Sequence, residues 1–280
     1  MGALGKKICF LLQVCQNLLK AAKSGDVNTV KVLVRCSNDS CTTDKFSCFT
    51  PLICAGQKGH VEVVRVLLEG GANIERDAVS GLKALHLAAR NGHLDVCRLL
   101  LDWGAKVDAV DTGKNNPLRY AAWEGHLSVV KLLVERGADV NVKNENGSSP
   151  PHFAAGNGSF SVVKLLVESG ADANVKSING WTPLLRAAQM GNLSIVKLLA
   201  EKGADVNVKE KLGFYPLYFA TYQRDLSMLK LLVERVADVN VKTINGWTPL
   251  LYAAEMGNLS IVKLVLKLSP CCKCNLFLFG

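Results

Sequence analysis

Apolar positions along the chain fall into a two-part pattern. A short stretch such as TPLLRAAQMGN (182–192) carries small and apolar side chains, and IVKLLAEKGADVN (195–207) follows it. In the second stretch Ile195, Val196, Leu198 and Leu199 form a stripe of 3.6-residue period, which predicts a helix with one buried face. Thr182 suits an N-cap, and Pro183 suits the first helical position, where its missing N–H costs nothing. Ala187-Ala188 gives a narrow face, so neighbouring helices can approach closely. Gly191 can take the left-handed conformation that ends the first helix, and Gly203 stops the second. A polar stretch then closes in Asn-Gly, at Asn146-Gly147, Asn179-Gly180 and Asn245-Gly246, a tight-turn signal. The predicted order is helix, turn, helix, hairpin-like loop.

This unit recurs every 33 residues. Its first landmark reads TPLICAGQKGH (50–60), KALHLAARNGH (83–93), NPLRYAAWEGH (116–126), SPPHFAAGNGS (149–159), TPLLRAAQMGN (182–192), YPLYFATYQRD (215–225) and TPLLYAAEMGN (248–258), with a degenerate LLKAAKSGD at 18–26. Blocks 178–199 and 244–265 differ at three of 22 positions: Arg186 against Tyr252, Gln189 against Glu255, Leu199 against Val265. Their offset of 66 is twice the period, the sign of a copied two-repeat block. No unit can bury its own stripe, so each must stack on the next. The fold expected is an all-α repeat solenoid of helix-turn-helix units joined by hairpin-like loops.

The series Thr-Pro-Leu-His, Ala-Ala, Gly-His, Leu-Leu, Gly-Ala-Asp-Val-Asn resembles the ankyrin repeat family, over residues 18–268. The expected organisation is a capping helix in 1–17, a repeat domain over 18–270 and a Cys/Phe-rich tail at 271–280. The repeats fall at 18–48, 49–81, 82–114, 115–147, 148–180, 181–213, 214–246 and 247–270. The resemblance implies inner helices and hairpin tips lining a concave groove, and a binder of proteins rather than a catalyst. Some positions depart from the pattern. Pro151 replaces Leu, while the seventh repeat has Tyr215 for Thr, Tyr218 for His, and Arg224 and Val236 for glycines. These should loosen local geometry and force non-glycine residues to positive φ.

Charge first suggests nucleic acid, since the formal net charge is +9. Six basic residues against Asp26 alone lie within 1–35, however, and elsewhere the signs alternate as on a solvated surface. No run of 18 or more apolar residues predicts a membrane span. The leader MGALGKKICFLLQVC lacks a signal-peptide cleavage site, Lys6 breaks the myristoylation pattern, and the C-terminus lacks the prenylation pattern. Ten scattered cysteines, with none between Cys97 and Cys271, favour a reduced, cytoplasmic protein over a disulfide framework. Cys36, Cys41, Cys48 and Cys54 miss the paired spacing of zinc sites. Cys271, Cys272 and Cys274, with NLFLFG, read as a cover over the last repeat or as acylation sites.

All five histidines occupy two repeat slots, His60, His93 and His126 after the glycine, and His86 and His152 in the first helix. Asp139, Asp172, Asp205 and Asp238 share another slot, so they form a row and do not converge for acid–base chemistry. No phosphate-loop or HExxH motif is present. Neither a catalytic residue, a metal site nor a cofactor is expected. Binding should therefore fall to positions free to vary between repeats: Trp123, Ile178, Trp181, Met190, Leu212, Phe214, Tyr222, Ile244, Trp247 and Met256. A lysine row at 33-residue intervals, Lys143, Lys176, Lys209 and Lys242, favours an acidic rim on the partner. The expected function is a monomeric protein-interaction scaffold without nucleic acid. The alternatives are a bacterial or viral effector acting on host proteins in the host cytosol or nucleus, or a nucleic-acid binder. Asn141, Asn174, Asn207 and Asn240, each with Leu eight residues earlier, resemble the asparagine hydroxylated in other ankyrin repeats.

Overall fold

A computed structural model describes residues 3–34 and 49–268, with side chains described over 12–34 and 49–267. The described residues form helices and no strand. Two compact units divide the chain after Glu145. The first holds α1 (Ala3–Ser24), α2 (Val27–Leu33), α3 (Pro51–Lys58), α4 (Val61–Glu69), α5 (Ala84–Arg90), α6 (Leu94–Asp102), α7 (Pro117–Glu124) and α8 (Leu127–Glu135). The second holds α9 (Pro150–Gly156), α10 (Phe160–Glu168), α11 (Pro183–Gln189), α12 (Leu193–Glu201), α13 (Pro216–Tyr222), α14 (Leu226–Glu234), α15 (Pro249–Glu255) and α16 (Leu259–Leu268).

Each odd-numbered helix pairs with the even-numbered helix after it as an antiparallel hairpin. Within each unit, first helices stack on first helices and second on second. Contacts between first helices are the more extensive, and the alanine pairs explain why. Ala88-Ala89, Ala121-Ala122, Ala154-Ala155 and Ala187-Ala188 are fully buried at those junctions. The stripe residues Ile195, Val196 and Leu199 are equally buried between the layers. Each such aliphatic side chain contributes about 1.5–3 kcal/mol by leaving water.

The capping chemistry follows the sequence closely. Thr50, Thr182 and Thr248 each accept the backbone N–H three residues on at 3.2 Å, with proline next in the chain. Asn116 does the same at 2.9 Å. In α5 and α9 the histidine supplies the reciprocal half of the cap: Lys83 N–H and Ser149 N–H each donate to the Nδ1 of His86 or His152 at 3.1 Å. Tyr215 makes no cap bond; its ring is buried and its hydroxyl donates to Val241 O at 3.0 Å. The helices with atypical residues are intact. Pro151 lies buried inside an unbroken α9, and α13 keeps its full length. The expected positive φ is found at Arg224 (59°) and Val236 (68°).

Two kinds of side-chain bond tie neighbouring repeats together. In the first unit His60, His93 and His126 each bring Nε2 within 3.0–3.2 Å of a carbonyl in the repeat before, on Lys23, Gln57 and Arg90. The glycine of the repeat before makes room for that ring: a Cβ on Gly59, at φ 78°, would lie 2.6 Å from His93. The second bond links loops. Glu75, Asp108, Asn174 and Asn207 each accept a backbone N–H from the loop of the next repeat, on Lys106, Asp139, Asp205 and Asp238. Asp139, Asp172, Asp205 and Asp238 each accept a backbone N–H two residues ahead at 2.8 Å.

One expectation is altered at the N-terminal end. α1 runs unbroken across residue 17, so the leader and the first repeat share a helix. Cys15 is disulfide-bonded. Cys54 and Cys97 are buried thiols, and burial pushes Cys97 up to about 12. Cys36, Cys41, Cys48, Cys271, Cys272 and Cys274 lie outside the described residues, as does the tail. Among the described residues no helix is long and apolar enough to cross a membrane, and no cluster of His, Cys, Asp or Glu could hold a metal ion.

Candidate functional site

Three successive hairpins of the second unit place an aromatic ring at the same point, just before a helix. Trp181 N–H donates to Ser177 Oγ at 3.2 Å, and its carbonyl accepts Ser177 N–H at 2.8 Å. Phe214 is held in the same way by Glu210 (2.9 and 3.1 Å) and Trp247 by Thr243 (3.1 and 2.9 Å). The residue four positions earlier thus closes each loop and fixes where the ring emerges. The Trp181 carbonyl also receives His152 Nε2 at 2.9 Å, which ties it to the repeat before.

From these three anchors a continuous band of rings crosses the inner helices. Trp181 meets Phe219 at 5.8 Å between ring centres, and Phe214 meets Tyr218 at 4.7 Å. Tyr218 then contacts Tyr252 at 5.3 Å, and Tyr252 contacts Tyr222 and Trp247 at 6.0 Å each, the latter edge-on at 81°. The Arg186 guanidinium covers the Trp181 ring 4.2 Å from its centre. Pairs at such distances contribute roughly 0.5–1.5 kcal/mol each beyond area burial.

A groove of about 610 Å³ opens on this band. Its apolar wall is Trp181, Leu212, Phe214, Tyr218, Phe219 and Tyr222; Asn179, Gln189, Glu210, Lys211 and Gln223 complete it. Leu212 and Tyr222 are 64% and 55% exposed, whereas Trp181, Phe214 and Trp247 are half-buried. The Glu210 carboxylate is buried and accepts the Phe214 N–H, so Lys211 is the charge the groove shows to solvent. Burial raises Tyr218, helped by Tyr252, and burial also raises Tyr215, so both phenols stay protonated at neutral pH. Burial lowers Arg186 from its ordinary value, yet a guanidinium remains cationic. Among the residues that line the groove, no nucleophile stands beside a base.

The sequence-derived candidates divide as follows. Trp181, Leu212, Phe214 and Tyr222 come together on the groove, and Trp247 joins through Tyr252. Ile178, Met190, Ile244 and Met256 are exposed in the same unit but do not line the groove. Lys176, Lys209 and Lys242 are exposed, with Lys209 Nζ donating to Lys242 O at 3.3 Å. Trp123, 49% exposed with the Arg119 guanidinium 5.2 Å from its ring, and exposed Lys143 belong to the first unit. Asn141, Asn174, Asn207 and Asn240 are all exposed; the amides of Asn174 and Asn207 also donate to Gly203 O and Val236 O in the next loop.

Tyr218, Phe219, Tyr252 and Arg186 were not among the candidates. A signal for two of them was present. Arg186 and Tyr252 are equivalent positions that differ between the two near-identical blocks, and each packs on the tryptophan of its own hairpin.

A family model described as ankyrin repeats (3 copies) matches residues 18–111, 79–144, 118–210 and 205–276. The crystal structure of the human ASB11 ankyrin repeat domain is similar over 79% of this chain and 98% of that chain, with a TM-score of 0.71 and 26% identity. BTB/POZ domain-containing protein 3 of Schizosaccharomyces pombe is 40% identical over 70 residues, 25% of this chain. The match spans only 13% of that relative's length.

Proposed function

The chain belongs to the ankyrin repeat family, whose repeats are generally protein-interaction modules, and on that premise we propose that it is a non-catalytic scaffold gripping a partner protein on the aromatic face of its second unit. One observation carries this reading: a preassembled band of rings spanning three consecutive repeats, open to solvent along a groove of about 610 Å³. Rings already packed against one another lose little side-chain entropy on binding, and Trp, Tyr and Arg are the residues on which binding energy concentrates. The exposed lysines Lys176, Lys209, Lys211 and Lys242 support an acidic rim on the partner, which would speed encounter.

The test uses the two most exposed wall residues, since truncating a half-buried tryptophan would also remove packing. Leu212→Glu with Tyr222→Ala should abolish capture of a reproducible set of proteins from cell extract, quantified by mass spectrometry against wild type. Its thermal melt should fall by several degrees at most, because both side chains are more than half exposed and Tyr222→Ala gives up only its ring contacts to Tyr218 and Tyr252. Val79→Ala, at an exposed position of the first unit, is the control and should leave capture intact. If the double variant captures the same proteins as wild type, the aromatic face is not the binding surface.

A further inference from the structure

The chemistry and period of the groove constrain what fits it, and the argument rests on the binding role proposed above. Along the second unit the surface repeats once per repeat in two parallel rows. One is the ring row, Trp181, Phe214 and Trp247; the other is the cation row, Lys176, Lys209 and Lys242. The ring row is linked from one repeat to the next through Phe219, Tyr218 and Tyr252, and in the cation row Lys209 Nζ reaches Lys242 O. Packed helix layers lie about 8–10 Å apart. An occupant that uses equivalent contacts on successive repeats must share that period.

A polyproline II chain does so with one turn per repeat, since three residues rise roughly 9.3 Å. A β-strand returns a side chain to the same face every two residues, about 6.6 Å, and falls out of step. An α-helix matches only across two turns and is about 10–12 Å wide, and its backbone has no use for polar groups in a wall. This groove interleaves ring faces with the side-chain amides of Asn179 and Gln189, the mixture suited to an extended chain whose carbonyls are unpaired. Charge selects further. Lys211 stands on the groove wall and Lys176, Lys209 and Lys242 are exposed in the same hairpins, while the groove's carboxylate, Glu210, is buried and already engaged. We infer that the occupant is an acidic, proline-containing segment of a partner protein, bound in the polyproline II conformation at three residues per repeat, with apolar residues on the rings and carboxylates toward the lysines.

The experiment pans a displayed library of randomised twelve-residue peptides against the full chain, then measures selected peptides by fluorescence anisotropy. Enriched sequences should carry proline or a bulky apolar residue at every third position, with Asp or Glu between. Their affinity should fall tenfold or more on Leu212→Glu with Tyr222→Ala, and several-fold on raising salt from about 50 to 300 mM, as expected for exposed charges. Combining Lys176→Glu, Lys209→Glu and Lys242→Glu should weaken them at least tenfold and reverse the charge preference on reselection. Groove-dependent peptides with helical i, i+4 spacing, or with basic composition, would overturn the inference while leaving the binding face standing. Selection of no peptide sensitive to the groove variant would overturn both.

Discussion

Val236 permits a test of how closely the repeat framework is built around glycine. In five earlier repeats this slot is glycine at φ 85–90°, Gly71, Gly104, Gly137, Gly170 and Gly203, and a Cβ built on any of them meets nothing within 4 Å. Val236 occupies the slot at φ 68°. The surroundings therefore accept a side chain, and the strain is internal to the residue: its Cβ crowds its own carbonyl at a cost of about 1–2 kcal/mol. The side chain is 81% exposed, so little burial is lost by removing it. Glycine widens the unfolded ensemble and returns about 0.4–1 kcal/mol of that gain. Val236→Gly should therefore stabilise the protein by about 0.5–1 kcal/mol, a rise of roughly 1–4 °C in melting temperature. Val236→Ala keeps the Cβ and should recover much less. The carbonyl that accepts Asn207 Nδ2 belongs to the backbone and survives either change. Urea titration read by circular dichroism gives the comparison, provided the m-value is constant between variants. A midpoint for Val236→Gly equal to or below wild type, at constant m, would show that the positive φ carries no such cost.

Two further outcomes follow from the bonds between repeats. Asn207→Ala removes both the acceptor for Asp238 N–H (2.8 Å) and the donor to Val236 O (3.1 Å), and should cost about 1–2 kcal/mol by urea titration, less than a buried pair because both are exposed. His86 should make stability fall in mild acid. Burial holds its imidazole below the ordinary value against the opposing pull of Asp111, and Nδ1 must stay unprotonated to accept Lys83 N–H. As pH drops below about 6.5 the unfolded chain takes up a proton that the fold resists, so stability is lost on acidification and restored above that pH. His86→Gln should flatten the denaturation midpoint between pH 7.5 and 5.5; an unchanged slope would contradict the assignment.

The elements were legible because their causes are local. Thr182 with Pro183, Gly191 and the Ile195–Leu199 stripe each act within a few residues, and repetition at a fixed period multiplied the signal. The histidines were legible as members of two repeat slots for the same reason, and one slot means one environment. Convergence was harder to read. Nothing within one repeat says that Phe219 meets Trp181, or that Tyr252 meets Tyr218, because those contacts depend on how far one layer advances past the next. The candidate list therefore held the hairpin rings and lacked the helix residues that join them. Exposed apolar residues such as Ile178 and Ile244 were chosen by the same reasoning as Leu212, yet Leu212 alone of the three lines the groove.

The seventh repeat shows why departures from a repeat pattern repay attention. Read along the chain, Tyr215 and Tyr218 looked like losses, a missing cap and a missing histidine. In α5 and α9 that histidine is buried and its Nε2 reaches the backbone of the next repeat, on Asn115 O or Trp181 O. In the seventh repeat the tie forward is made from a different slot, by the Tyr215 hydroxyl on Val241 O. The histidine slot is thereby released from framework duty, and Tyr218 turns its ring onto Phe214, Tyr222 and Tyr252. The equivalent residues in the flanking copies are leucines, Leu185 fully buried and Leu251 exposed, and neither could bridge the rings of adjacent repeats. Restoring the pattern with Tyr218→His would thus remove the central link of the aromatic band while leaving the stack intact.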